Sequence, residues 1–331
     1  MSQRRPCAVR RSRPSNVDEF ELIQKYFVRP DESASVITGI GDDGAVLRPP
    51  MGKDLVTVVD TLVEGVHFPY AIKDFEAEPL GYRAVAVNLS DIAAMGAEPR
   101  WMTLALTLAA VDESWLSFFS HGLHKAAAEH GVALVGGDVT RGDSVVVTVQ
   151  VSGHVDPGRA ILRSGARIGD TIYVSGEVGD AAAGLRLQQN DPPHPGPHCY
   201  LIDRYWSPTA RVGLGCALVG RASAAIDISD GLYGDLDKLL TASGVGADLY
   251  LDKIPTSIAL KSSFDQEQQR SFALSGGDDY ELCFTSSEQL PGEIAGVQVT
   301  SIGKVSKRPG IICYDDGKVV SYVDGGYRHF Q

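Results

Sequence analysis

The chain has no Cys-x-x-Cys pair. Its five cysteines, at 7, 199, 216, 283 and 313, are odd in number and give no disulfide framework. They read as scattered small hydrophobes in a reducing compartment, the cytoplasm. Long apolar runs are also missing. The longest, WMTLALTLAAV from Trp101, falls far short of the roughly 20 residues that a membrane span needs, and it reads as a buried strand. Positive charge is scarce: 30 Lys+Arg against 42 Asp+Glu leave a formal net charge of -12. That balance excludes a general nucleic-acid binder, because neutralising phosphates needs a basic surface. The opening MSQRRPCAVRRSRPS does carry five arginines, but it has no apolar h-region, so a disordered basic leader is expected rather than a secretory signal.

Several catalytic signatures are absent as well. There is no G-x-x-x-x-G-K-[ST] motif, no kinase HRD or DFG set and no G-x-S-x-G elbow. Neither common nucleotide-binding architecture applies, and no covalent nucleophile is indicated.

What is present is an ordinary globular composition. The 331 residues are 44% hydrophobic and 22% charged, enough for two domains with a sizeable core. Order is expected from SNVDEFELIQKYF, where Asn16 can cap a helix with Glu19 three residues on and with Phe20, Ile23 and Phe27 on one face. Strand-like runs follow at KDLVTVVDTLV, RWMTLALTL, GVALVGGD and SVVVTVQVSGH. Between them lie two helical patterns, EPLGYRAVAVNLSDIAAMG and ESWLSFFSHGLHKAAAEHG, each stopped by glycine. This alternation predicts a mixed α/β (α+β) chain: a leader over 1–15, an N-terminal α/β domain over 16–154 and a C-terminal α/β domain over 155–331. QQNDPPHPGPHCY reads as a proline-rich loop, whose His194 and His198 fit a solvated linker better than a metal site. His121 and His124 share a helix face and are expected at the surface.

Six acidic motifs punctuate the chain: GDD at 41, VVDT at 58, LSD at 89, GGD at 136, ISD at 228 and GGDD at 276. A Ser-Asp pair followed by a Gly-Gly-Asp turn occurs twice at nearly the same separation, which raises the possibility of a duplicated half. Alone, GIGDDGAVL is ordinary turn chemistry, and individual acids can equally serve turns, helix caps and solubility. Together, carboxylates converging on one cleft need a cation, because otherwise they repel or hold protons. Oxygen-only ligands select a hard ion such as Mg²⁺, which keeps waters and shares its shell with substrate phosphates. The pattern therefore points to a phosphate-nucleotide enzyme that uses several Mg²⁺ ions and direct in-line transfer.

GIGDDGAVL, VVDTLVEGVHF, AVNLSDIAAMGAEPRW, GGDVTRGD, GRAILRSGARIGD, IDISDGL, GGDDYELCF and GGYRHF, in this order from about residue 18 onward, closely resemble the thiamine-monophosphate kinases. That family belongs to the superfamily of aminoimidazole ribonucleotide synthetase and selenophosphate synthetase. The resemblance implies two α/β domains, a homodimer whose N-domain strands form a barrel, and phosphoryl transfer from ATP to thiamine monophosphate. Carried over residue by residue, it implies Mg²⁺ on Asp43, Asp60, Asp91, Asp138, Asp227 and Asp230. It implies ATP contacts from Gly137, Asp138, Arg163 and Ser229, with Arg163 stabilising charge on the transferred group. His67, Asp278 and Tyr327 would line the thiamine site. Asp42 is left as turn support for Asp43. Two departures stand out: Val58 and Val59 replace the usual Ser-Thr before Asp60, and Asp278 stands where Glu is common. Other readings stay open, namely another ATP-using enzyme of the superfamily or a non-catalytic sensor of nucleotide or thiamine phosphate. Cys7 in the leader and the ending GYRHFQ disfavour the selenophosphate and hydrogenase-maturation enzymes.

Overall fold

The computed structural model describes residues 19–29, 33–190 and 196–322. The leader, Asn16, His194 and the terminal GGYRHF with Tyr327 lie outside the described residues.

Helix α1 (Glu19–Tyr26) buries Leu22 and Tyr26, and Phe27 just beyond it is buried too. Phe20, expected on the packed face, is 77% exposed. Of the face drawn through Phe20, Ile23 and Phe27, Phe27 joins the core, and all three border a cavity. A short antiparallel pair, β1 (Val36–Thr38) and β2 (Val46–Leu47), flanks the Gly-Asp-Asp turn.

The four expected strands form one sheet. They are β3 (Asp54–Val63), β4 (Glu98–Leu108), β5 (Ala133–Arg141) and β6 (Val146–Val155), in the order β3-β6-β4-β5. Pairing is antiparallel except for β4 with β5, whose parallel register follows from the crossover through α3 (Glu113–Glu129). Along β3, Val56 and Leu62 are buried while Leu55, Thr57, Val59 and Thr61 face outward. The outward face carries hydroxyl pairs, Thr57 with Ser152 at 3.1 Å and Thr61 with Thr148 at 2.9 Å. The sheet is open, with β3 and β5 as its edges.

Helix α2 (Ala77–Ala94), between β3 and β4, is buried along most of its length, its polar Arg83, Asn88 and Ser90 included. Leu80, Val85, Leu89 and Ile92 belong to a core that joins Val147, Val149 and Val151 of β6 to Leu214, Leu218, Ala225 and Phe284. It crosses α3 closely. A Cβ on Gly81 would lie 2.1 Å from the Phe119 carbonyl oxygen, and one on Gly122 would lie 1.8 Å from that of Glu78.

After β6 the chain builds a second sheet. Its elements begin with β7 (Thr171–Ser175), α4 (Asp180–Asn190), α5 (Pro197–Trp206), α6 (Val212–Leu218), β8 (Ala224–Asp227) and α7 (Leu232–Ser243). There follow β9 (Gly246–Tyr250), α8 (Ile258–Ser263), α9 (Gln266–Ser275) and β10 (Leu282–Ser286), then β11 (Glu293–Ile294), β12 (Val297–Ser306), β13 (Gly310–Asp315) and β14 (Lys318–Val320). The strand order is β14-β13-β9-β12-β7-β10-β8, with β11 paired to β12.

Three local expectations change. The proline-rich loop is shorter than expected, because Pro197 occupies the first turn of α5, where its missing N–H costs nothing and its φ suits a helix. His198 therefore sits on a helix. His124 is half-buried, with Nε2 3.1 Å from the Tyr26 carbonyl, and so ties α3 to α1; His121 is exposed as expected. The repeated motifs occupy unrelated positions: Asp91 lies inside α2, whereas Asp230 precedes α7, so the echo does not mark equivalent halves. Among the described residues, no helix is long and apolar enough to cross a membrane.

Candidate active site

A cavity of about 1140 Å³ opens between α2, β3, the β8–α7 turn and the loop before β10. Helix α2 lines it with Arg83, Val87 and Asp91, spaced four apart and so stacked on one helical face. Asp60 enters from β3. Its strand alternation places it on the buried side with Val56 and Leu62 rather than with the outward threonines. Asp227 ends β8, and Ser229 and Asp230 follow in the turn. Arg163 comes from the segment between β6 and β7, His67 from the turn after β3, and Asp278 from the GGDD loop. Eight of the expected site residues are thus brought together; two of the acids sit inside regular elements, Asp60 within β3 and Asp91 in the last turn of α2.

Burial, followed by the charges of Asp227 and Asp230, pushes the Asp60 carboxyl up to about 6. Asp91 and Asp227 are both raised, by burial first and then by the charge of a neighbouring carboxylate, Asp60 for Asp91 and Asp91 for Asp227. Ser90 Oγ, donating to Asp227 Oδ2 at 2.8 Å, and the Arg163 charge oppose this only in part. The cluster is therefore short of positive charge. Its donors are all oxygen, which fits a hard cation. Among the described residues, no group of three or more His, Cys, Asp or Glu side chains is arranged to hold a metal ion by itself.

The turn carrying Ser229 and Asp230 is organised by Asp235, a residue the sequence reading missed. Its buried carboxylate accepts the N–H groups of Ser229 and Asp230, both at 2.9 Å, and takes Lys238 Nζ at 2.7 Å on its other oxygen. Lys238 also pairs with Asp230 at 2.6 Å. The available signal was an Asp in the first turn of the helix after IDISDG, a position where short acids bond backbone.

The GGDDYE segment divides its acids. Asp278 faces the cavity. Asp279 is buried, accepts the N–H groups of Gly179 at 2.6 Å and Ala181 at 3.2 Å at the start of α4, and is held by burial at about 8. Glu281 is fully buried between Arg211 and Arg204 and accepts Ser175 Oγ at 2.5 Å. Gly277 packs so closely that a Cβ would meet the Ser229 carbonyl oxygen at 2.4 Å, which locks the two acidic turns together. Asp278 N–H donates to that same carbonyl at 2.9 Å. Nδ1 of His67 accepts the Val63 N–H at 3.0 Å, and its carbonyl accepts from Tyr205 Oη at 2.9 Å.

Asp43, Gly137 and Asp138 are not in this cavity. They line a separate one of about 420 Å³, with Phe20, Ile23 and Phe27 on its apolar side. The six acids therefore do not converge within one chain: Asp60, Asp91, Asp227 and Asp230 do, while Asp43 and Asp138 lie at the β5 edge of the same sheet. Gly137, at φ +149°, is required there, since a Cβ would fall 1.8 Å from the Leu104 carbonyl oxygen. Asp42 acts as expected, accepting the Asp43 N–H at 2.8 Å. Val58 and Val59 line an apolar recess of about 460 Å³ that borders Asp91, Arg163 and Asp227, so hydroxyls are replaced here by an apolar wall.

Two mixed sheets around a buried helix, with an acidic cleft bordered by arginine, place the chain in the class related to AIR synthase. The family model described as AIR synthase related protein, N-terminal domain, matches residues 41–155. Within that class the chain belongs to the thiamine-monophosphate kinase family. It is 46% identical to the thiamine-monophosphate kinase of Salmonella typhimurium, over 94% of this chain and 98% of that one. It is 36% identical to that of Bacillus subtilis, over 95% and 100%. The crystal structure of the Stenotrophomonas maltophilia enzyme superposes with TM-score 0.80 at 40% identity, covering 87% of this chain and 93% of that one. AaThiL complexed with AMPPCP and TMP superposes with TM-score 0.75 at 33% identity, covering 90% and 93%.

Proposed function

We infer that the chain transfers the γ-phosphoryl group of ATP to thiamine monophosphate, giving thiamine diphosphate and ADP. The observation that carries this reading is a single cavity that brings an acidic, arginine-bordered cluster (Asp60, Asp91, Asp227, Asp230, Arg163) together with a second group of polar side chains, His67, Asp278 and Arg83. It accords with a family relative solved with an ATP analogue and TMP together.

In this reading the four converging carboxylates hold Mg²⁺, joined by Asp43 and Asp138 of a second copy. Mg²⁺ held there would supply positive charge to offset that of the phosphates. Arg163 forks onto phosphate oxygens and steadies charge on the transferring group. Ser229 and, from the partner's edge, Gly137 contact ATP. His67, Asp278 and Tyr327 hold the acceptor so that its phosphate oxygen meets the γ-phosphorus in line, without a covalent enzyme intermediate. Residues 16–154 form the dimerising domain and 155–331 complete the site. The enzyme works in the cytoplasm as a homodimer, and neither nucleic acid nor membrane is a partner.

Incubation with MgATP and thiamine monophosphate, followed by chromatography, is expected to yield thiamine diphosphate and ADP in equal amounts. Binding of both compounds with no product would instead identify a sensor. Arg163→Met is expected to lower kcat by about a hundredfold or more, as loss of a transition-state charge partner does.

A further inference from the structure

Arg83 is the largest fully buried side chain of the cavity wall, and the reading above gives it no role beyond lining the cavity. It stands in α2 two turns before Asp91. Its Nη2 donates to Asp278 Oδ1 at 2.7 Å, its Nη1 donates to the Tyr205 carbonyl at 3.1 Å, and its guanidinium carbon lies 4.1 Å from the Tyr205 ring centroid. We propose that Arg83 is a positioning residue for the acceptor: it fixes the Asp278 carboxylate by one oxygen and, through Tyr205, the His67 turn, and so sets the affinity for thiamine monophosphate. This rests on the assignment of the His67–Asp278 group to the acceptor.

Three observations separate this role from ordinary packing. A buried ion pair is weak ground for stability, and this one also leaves Arg83 Nε buried with no partner, a cost an apolar side chain would avoid. Asp278 and Tyr280 both hold positive φ, +70° and +53°; aspartate tolerates this region, but the bulky Tyr280 adopts it only when the surroundings force it. The forced geometry has a definite result: Arg83 Nη2 and Tyr280 Oη, at 3.1 Å, both donate to Asp278 Oδ1. Both bonds therefore fall on one oxygen, and Oδ2 takes neither of them on the cavity side of a residue whose side chain is 28% exposed. Meanwhile Tyr205, stacked under the guanidinium, donates its hydroxyl to the His67 carbonyl at 2.9 Å. A single cation thus connects both residues that face the acceptor. An oriented carboxylate oxygen suits the amino and cationic rings of thiamine monophosphate, and leaves the phosphate to the acidic cluster.

The test is steady-state kinetics on Arg83→Met, Arg83→Lys and Asp278→Asn, together with calorimetric binding of thiamine monophosphate in the absence of nucleotide. Arg83→Met is expected to raise KM and Kd for thiamine monophosphate by about 10- to 100-fold, the usual loss for a hydrogen bond to a charged group, while KM for ATP stays within about threefold. Arg83→Lys, which keeps the charge, shifts the acceptor KM less and in the same sense; it carries the test if the Met variant does not fold. The double variant Arg83→Lys/Asp278→Asn should lose less acceptor affinity than the two single losses combined, because the Asp278 route is already gone and only the Tyr205–His67 route remains to be disturbed. An unchanged acceptor KM, equal losses for both substrates, or additive effects in the double variant would overturn the proposal. Wild-type turnover separates this outcome from failure of the functional reading, which would show as no thiamine diphosphate from the unmodified enzyme.

Discussion

Asp60 is held where its charge is disfavoured. Burial and two neighbouring carboxylates raise it to about 6, so at pH 8 the metal-free protein must ionise it at a cost, and a shift of two units corresponds to roughly 2–3 kcal/mol. Asparagine keeps the shape and removes that cost. Asp60→Asn is therefore expected to melt at a higher temperature than wild type in chelator at pH 8, by an amount on the order of 1–2 kcal/mol once partial exposure is discounted, while losing turnover. A lower melting temperature would mean that the acid is structural. The identity of such acids was legible from their motifs, and the turn support by Asp42 was too. Arg83 was not, because one arginine in an apolar helix says nothing about a partner that the chain supplies from the far end of the fold. Asp235 went unread for a similar reason: its acceptors are backbone amides, which no side-chain pattern reveals.

At the scale of elements, everything on α2 depends on where α2 lies. Its crossing with α3 is set by Gly81 and Gly122, each facing a carbonyl of the other helix with no room for a methyl group. Gly122→Ala should destabilise the fold by about 3 kcal/mol or more, read from denaturant midpoints, because separating the helices also moves Arg83 and Asp91. Full stability would mean that the helices separate freely. The α1–α3 contact responds to pH. Burial, followed by the Arg29 charge, lowers the His124 pKa, so the neutral ring is the folded form. A depressed histidine contributes stability that is present above the ordinary value of 6.5 and lost as pH falls through the folded one. Proteolysis within α1 should accordingly speed up between pH 7 and pH 5, and His124→Asn should blunt that change. The four strands and two long helices of the first half were readable from alternation and glycine stops, since one face of each is buried. The start of α5 was not, because proline reads as a breaker unless its N1 position is known. The Ser-Asp echo misled because identical dipeptides serve a helix interior in one place and a helix start in the other.

For the molecule as a whole, the telling fact is a sheet with two open edges and an outward face that mixes hydroxyls with exposed Leu55 and Val59. Asp60 lies midway along edge β3 and Asp138 midway along edge β5. Exposed edges invite pairing, and a two-fold axis that joins β3 of one copy to β5 of the next does so twice, which closes eight strands into a barrel. The same operation would carry Asp43 and Asp138 of one protomer toward Asp60, Asp91 and Asp227 of the other. In the proposed homodimer, six acids chosen from the sequence as one site would thus occupy two cavities of a single chain and meet across the interface. Such sharing has a test that needs no structure of the complex. Asp60→Asn and Asp138→Asn are each expected to be inactive alone. When the two are unfolded together and refolded as an equal mixture, half of the dimers are mixed, and each mixed dimer holds one site with both acids intact. The mixture should therefore recover about a quarter of wild-type activity, as two-fold exchange of site residues requires. If each chain carries its own complete site, every site in the mixture keeps one lesion and no activity returns.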